Sequence, residues 1–396
     1  MVDATQSKAR AFGPQEWQRG LWLAALILLA SRIGYQVPLP SVDPEMLDRL
    51  RSTPGFGGVA LSRVSLFALG LTPFVSAWVV MEIFRGGRPE PVVALYRRRL
   101  TLAFATLQAW GIASALEGVR GLVPEPGFEF RLTTMLTLAA STMLLVWLGE
   151  QITRLGVCDG IWLLYAADIV AQARVTAEMA FMFDGEFRGG VPITPVEATA
   201  FLALLVALVA LIVLVERAWR EIPIEAKDGT PRMLSFRLDR ATIIPAFVAS
   251  WIMMIPSVLV WLFSPSGTDV SLYAIIRSQP LVLLLYAAVF ALVTYMVTAA
   301  RLSPHRISAG LARQKLSISG VPPGQTAATL DRVSSRTTAI TAAYLTVICL
   351  LPEVLIIFAG VPLSIGGPSL LVVVIVALDI LSRTWGDTRK DATLTP

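Results

Sequence analysis

The chain has 396 residues, of which 55% are hydrophobic and 15% charged, with a formal net charge of +5. So apolar a composition excludes a set of soluble domains, and the positive balance calls for no nucleic acid, because a basic cytoplasmic face is ordinary in a multispan membrane protein. Two cysteines, Cys158 and Cys349, lie at predicted helix positions without metal-ligand spacing and read as buried thiols.

A bilayer core of about 30 Å takes about 20 apolar residues per helix. Ten stretches meet that need, at 18–37, 67–84, 100–118, 132–150, 160–179, 195–215, 242–262, 279–300, 338–359 and 363–382. The first follows a polar tail at 1–17, is too long for a signal peptide and lacks a cleavage pattern, so it is expected to stay as a helix. Most of the 33 Lys and Arg fall in loops 85–99, 150–160, 216–240 and 301–337 and in the two tails. That bias predicts cytoplasmic termini. The external linker 174–194 divides the spans into halves at 18–173 and 195–384, followed by a tail at 385–396. An odd number of spans in each half forces the halves to enter the membrane from opposite sides, the inverted-repeat arrangement with a path at the interface.

Within the first half, two prolines end the first span in ASRIGYQVPLP (30–40). A polar external segment with a short amphipathic run follows, and then GGVALSRVSLFALGLTPFVSAWVVMEIF at 57–84. This reads as a short apolar segment entered through Gly55, Gly57 and Gly58, a break, and a membrane helix carrying Pro73. Backbone outside a helix at membrane depth is tolerated only where protein or a water-filled cavity surrounds it, so the break points to a pore or substrate path. Further on come LAFATLQAWGIASAL (102–116) and LTLAASTMLLVWLGEQITRLGVCDGIWLLYAADIVA (136–171). The second half holds VERAWREIPI (215–224), DRATIIPAFVASWIMMIP (239–256), the loop at 301–338 with the single histidine, His305, and GGPSLLVVVIVALDILSR (366–383).

In this order the stretches resemble the SecY family of protein-conducting channels, over roughly residues 18–385. The run from Thr142 through Trp147, Gly149, Glu150 and Thr153 to Gly156, Asp159, Gly160 and Ile161 is the most specific part of the match. The resemblance implies an all-α membrane protein of ten transmembrane helices in two inverted five-helix halves, with a re-entrant plug at 55–66. Gly57, Gly58, Val59, Ala60 and Leu61 would form that plug, closing the pore from outside. The midplane ring of apolar side chains would fall on Val75, Val79, Ile161, Tyr165, Phe247 and Val372. The lateral gate between the second and seventh spans would involve Pro73, Trp78, Asp159 and Pro245. An apolar collar of this kind gates by dewetting and offers no fixed charge that would select a substrate. A substrate's own apolar helix could leave sideways into lipid, where each buried Leu or Ile gains about 1.5–3 kcal/mol.

The resemblance also implies partners: a small SecE-like membrane subunit, a SecG-like one, and a SecA-type motor ATPase or ribosome. The partner-binding loops would use Arg217, Arg220, Arg313, Gly324 and Gln325. No cofactor is implied. The sequence holds no Ser–His, Cys–His or metal-ligand constellation and no Walker-type phosphate loop, so the chain is read as a channel driven by a partner rather than an enzyme. Several positions depart from the family's pattern. Tyr165 and Phe247 stand where aliphatics are usual, Asp159 where Asn is usual, Pro322 where an arginine is implicated in engaging the motor, and Arg220–Glu221 where a basic pair is usual. Asp168 lies one turn after Tyr165, and an intramembrane carboxylate must meet water or a partner: it either lines the outer funnel or pairs with an arginine. Two other readings stay open. One is a non-conducting or specialised paralogue with altered motor coupling; the other is a small-solute secondary transporter using Asp168, Glu82 or Asp379.

Overall fold

The computed structural model describes residues 14–52, 64–84, 89–119, 121–182, 195–217, 221–226, 231–235, 243–252, 280–301, 316–318, 326–359 and 366–392. Its helices are α1 (Pro14–Gly34), α2 (Pro44–Ser52), α3 (Thr72–Ile83), α4 (Glu90–Glu117), α5 (Phe128–Arg154), α6 (Gly160–Met182) and α7 (Pro195–Arg217), then α8 (Ile243–Ile252), α9 (Pro280–Arg301), α10 (Thr326–Ala359) and α11 (Gly367–Ala392). The amphipathic run after Pro44 is α2, and each of the other ten helices overlaps one predicted span. Most run past the apolar stretch that reveals them. α4 starts at Glu90 and α10 at Thr326, because helical hydrogen bonding continues through polar residues after hydropathy has fallen. α3 does not. It begins only at Thr72, since residues 66–70 form turns and Gly70 takes φ +53°.

The second-half loops at 216–240 and 301–337 are not wholly irregular. Strands β1 (Glu221–Ala226), β2 (Pro231–Ser235) and β3 (Leu316–Ile318) form a sheet in the order β2-β1-β3. Both pairings are antiparallel, with Ile222 opposite Leu234 and Ile224 opposite Ile318. The sheet therefore ties the two long loops of that half to each other.

The chain forms two compact units. One comprises residues 6–193, 362–364 and 376–396; the other comprises 1–5, 194–361 and 365–375. In the first, α4 packs on α3 and α5, and α5 also meets α6 and α1. Small and polar side chains share the buried face with large apolar ones, and large apolar side chains also face outward. On α4 Thr101, Ala105, Ala109 and Ala113, one per turn, are buried along with Val93 and Leu116, while Leu102, Leu107 and Trp110 face outward. On α5 Thr134, Ser141 and Thr142 are buried beside Leu138, Leu145 and Ile152, while Leu136 is 63% exposed. α1 exposes Leu26, Leu29 and Ile33. Small residues between helices and large apolar ones outside suit lipid, where close backbone approach rather than hydrophobic exclusion holds helices together. By length and hydropathy alone Phe128–Arg154 meets the strict measure of a span among the described residues, and the shorter apolar stretches include Thr72–Ile83, Gly160–Gln172 and Leu284–Ala299.

The tightest packing is the α5–α6 hairpin. A Cβ on Gly160 would collide with the Gly149 carbonyl and Ile152, and one on Gly149 would stand 2.7 Å from Ile161 Cγ1. Thr153 closes the turn: its hydroxyl donates to the Gly149 carbonyl at 3.0 Å and accepts from the Gly160 N–H at 2.9 Å. In the second unit Gly367 of α11 likewise meets Cys349 and the Ile348 carbonyl of α10 without room for a side chain. Gly160→Ala is expected to destabilise by about 1–3 kcal/mol through overpacking. Thermal unfolding of the purified protein measures this as a lowered midpoint; an unchanged midpoint would mean that α5 and α6 are not held this closely.

Candidate functional site

The predicted ring is carried by both units. In the first, Val75 and Val79 on α3 are 4% and 1% exposed, and Ile161 and Tyr165 on α6 are half-buried. Ile161 and Tyr165 pack in one apolar cluster with Phe74, Trp78, Leu145 and Leu164. In the second unit Phe247 on α8 and Val372 on α11 are buried. Of the gate residues, Pro73 and Pro245 are buried and Trp78 is partly so. Asp159 stands at the head of α6, its carbonyl accepting from the Leu163 N–H at 3.0 Å. Gly57, Gly58, Val59, Ala60, Leu61, Arg220, Arg313, Gly324 and Gln325 lie outside the described residues, and Arg217 is described only as the last residue of α7.

α3 and α6 meet through aromatic rings. Trp78 and Trp162 are T-shaped at 5.0 Å, and Trp162 continues to Tyr165 at 6.1 Å. Two basic side chains flank this region. Arg98 Nη2 donates to both carboxylate oxygens of Glu150, at 2.6 and 2.7 Å, and joins α4 to α5. Arg97 lies over the Phe74 ring at 5.5 Å and 3.9 Å from Glu90. Burial lowers the Arg97 guanidinium below the ordinary arginine range, while Glu90, Asp159, Glu150 and Glu82 act in the opposite direction.

Asp168 is 8% exposed. It accepts a hydrogen bond from Gln172 Nε2 at 2.8 Å and one from the Tyr35 hydroxyl, and stands 3.9 Å from the Arg32 guanidinium. Arg32 in turn lies over the Tyr35 ring at 5.2 Å, and that ring meets Phe67 edge to face at 5.6 Å. Of the two fates open to this carboxylate in the sequence, the structure supplies the arginine. Reading Asp168 alone misses Arg32, Tyr35 and Gly70. The only local signal is Gln172, one turn on; the general signal is that a buried carboxylate needs a partner near the same depth, which Arg32 at the end of the first span satisfies. Among the described residues no group of three His, Cys, Asp or Glu side chains could hold a metal ion.

Helices that expose large apolar side chains, among them Leu26 on α1, Leu107 on α4, Leu136 on α5 and Leu284 on α9, together with α3 entered through a non-helical stretch, mark a polytopic helical membrane protein. The SecY family model matches residues 65–381, and on that match the chain belongs to the SecY family. It is 33% identical over 406 aligned residues to protein translocase subunit SecY of Escherichia coli K12, covering 94% of this chain and 91% of that one. The protein of the same name from Pseudomonas aeruginosa is 33% identical over 403 residues, covering 93% and 90%. Among solved structures, a SecY channel described by the plug domain that stabilises its closed state aligns with a TM-score of 0.60 at 16% identity, covering 92% of each chain. The yeast Ssh1 complex bound to the yeast 80S ribosome aligns at 0.59 and 14% identity, covering 97% of this chain and 94% of that one.

If the Trp78–Trp162 contact joins α3 to α6, a double-mutant cycle of Trp78→Ala and Trp162→Ala gives a coupling of about 0.5–1.5 kcal/mol in unfolding of the purified protein. Strict additivity would show that the rings do not support each other.

Proposed function

We propose that this chain is the channel subunit of a Sec-type translocase, a multi-pass protein of the bacterial cytoplasmic membrane with both termini in the cytoplasm. It passes unfolded polypeptides across the membrane and releases membrane helices sideways into lipid. The observation that carries the reading is similarity along nearly the whole length to curated translocase subunits. Val75, Val79, Ile161, Tyr165, Phe247 and Val372 form its constriction. Such a ring suits a passage for chains of any sequence, since apolar side chains without fixed hydrogen-bonding groups yield to whatever enters. Asp159, Pro73, Trp78 and Pro245 belong to the lateral gate, and residues 55–66 to the plug.

The chain performs no chemistry of its own, and the work of transport comes from a cytoplasmic partner, a ribosome or a SecA-type motor. Neighbours in the fold that are themselves ribosome-bound support the ribosome. Small SecE-like and SecG-like membrane subunits complete the assembly, and the loops holding Arg217, Arg220, Arg313, Gly324 and Gln325 receive the partner.

A photo-crosslinker at Phe247, in cells making a stalled secretory precursor, tests the reading. A crosslink between residue 247 and the precursor is expected. Absence of the crosslink, where another SecY-family channel of the same cell does crosslink, would favour a non-conducting paralogue.

A further inference from the structure

Asp168 and its partners are not among the predicted ring or gate residues, yet Tyr35 and Phe67 pack in one apolar cluster with Ile161, Tyr165 and Trp78, where two ring-bearing helices are joined. Two contacts tie α3 and the turn that leads into it to α6. At one, Trp78 meets Trp162. At the other, Gly70, just before α3, faces Asp168 so closely that a Cβ there would stand 3.2 Å from Oδ2 and 3.0 Å from the Tyr35 hydroxyl. Position 70 precedes 78 while its partner 168 follows 162, so the two chains run antiparallel. The contacts bracket Val75 on one side and Tyr165 on the other, with Val79 and Ile161 one residue beyond the tryptophans. Along α6 the two contacts are about 9 Å apart. A single contact would leave a pivot; two set both the spacing and the tilt of α3 on α6.

The Asp168 contact is built from groups that cannot slide. Gly70 takes φ +53°, which any side chain would strain, and its N–H donates to the Phe67 carbonyl at 2.8 Å. Phe67 is itself wedged against Gly34, where a Cβ would overlap its ring. The carboxylate is held from three directions by Gln172, Tyr35 and Arg32.

We infer that Asp168 is a positioning residue of the constriction: held by Arg32, Tyr35 and Gln172, it fixes the entry of α3 at Gly70 against α6, keeping the ring on these two helices closed when no polypeptide occupies it. The inference rests on the channel reading and adds to it a device outside the ring. It calls for a leak that appears without loss of the ring residues themselves.

The test is potassium efflux from lipid vesicles holding the full-length chain with its small membrane subunits. Asp168→Asn, which keeps the volume and loses the charge, is expected to raise efflux about tenfold, and Tyr35→Phe, which loses only the hydroxyl, about threefold. Glu117→Gln breaks an ion pair with Arg131 (2.6 Å) that joins α4 to α5, so it is expected to lower the thermal midpoint without raising efflux. That separates positioning from general weakening. A ring-opened variant, Val79→Gly with Ile161→Gly, reports on the channel reading itself. Efflux at the parent's rate in both Asp168→Asn and Tyr35→Phe, with the ring-opened variant leaking, overturns the inference and leaves the channel standing. If the ring-opened variant also stays tight, both fall. Should Asp168→Asn fail to insert, Tyr35→Phe decides, because its ring still packs on Phe67.

Discussion

Backbone that leaves the helix inside a membrane protein must find its hydrogen bonds within that protein. Residues 64–71 meet this constraint on the chain that leaves α1: the Leu39 N–H donates to the Val64 carbonyl at 3.2 Å, the Leu66 N–H to the Val37 carbonyl at 2.8 Å, and Pro38 bridges to Ser65. Turns then satisfy the stretch internally until α3 begins. Because this pairing fixes Phe67 beside Gly34 and Tyr35, it also fixes where Gly70 meets Asp168. One segment of irregular backbone thus ties α1, α3 and α6 together.

Around that segment close backbone approach adds to the packing of buried large side chains such as Phe74, Leu138 and Leu145. Ala105, Ala109 and Ala113 on α4 and the Gly149–Gly160 pair of the α5–α6 hairpin let backbones come near, which is the attraction available to helices already surrounded by lipid. Two charged contacts join α4 to α5: Arg98, two turns into α4, with Glu150 near the end of α5, and Glu117 at the end of α4 with Arg131 in the first turn of α5, where Glu117 also accepts from the Gly127 N–H. Asp168 with Arg32 is covered to much the same degree as Glu117 with Arg131, the carboxylate side chains 11% and 10% exposed and the guanidinium side chains 33% and 37%. A covered carboxylate is weak evidence of stability by itself, since desolvation opposes the attraction, but removing its partner leaves an uncompensated charge and so enforces a geometry.

The helices were legible because each carries an apolar run long enough to announce itself, and the family was legible because WLGEQITRLGVCDGI preserves a hairpin that tolerates nothing larger than glycine at positions 149 and 160. Helix ends were not, since Glu90–Arg99 and Thr326–Thr337 are helical but polar. The sheet is not legible for another reason: β1 contains Pro223 and pairs with Leu316–Ile318, some ninety residues away, and no local pattern encodes that partner. Asp168 was visible as an anomaly, while Arg32 and Tyr35 could be assigned to it only once the fold brought residues 32 and 168 together. The ring itself was read from the family's register, because a buried Val75 or Val372 looks in sequence like any other core valine.

Protease protection of a secretory precursor tests the central claim most directly, using membrane vesicles in which this chain is the sole SecY-family protein. A protein-conducting channel predicts that precursor added outside becomes resistant to protease once its cytoplasmic motor and ATP are supplied. Precursor that stays fully accessible, with the chain inserted and bound to its small subunits, would contradict the account.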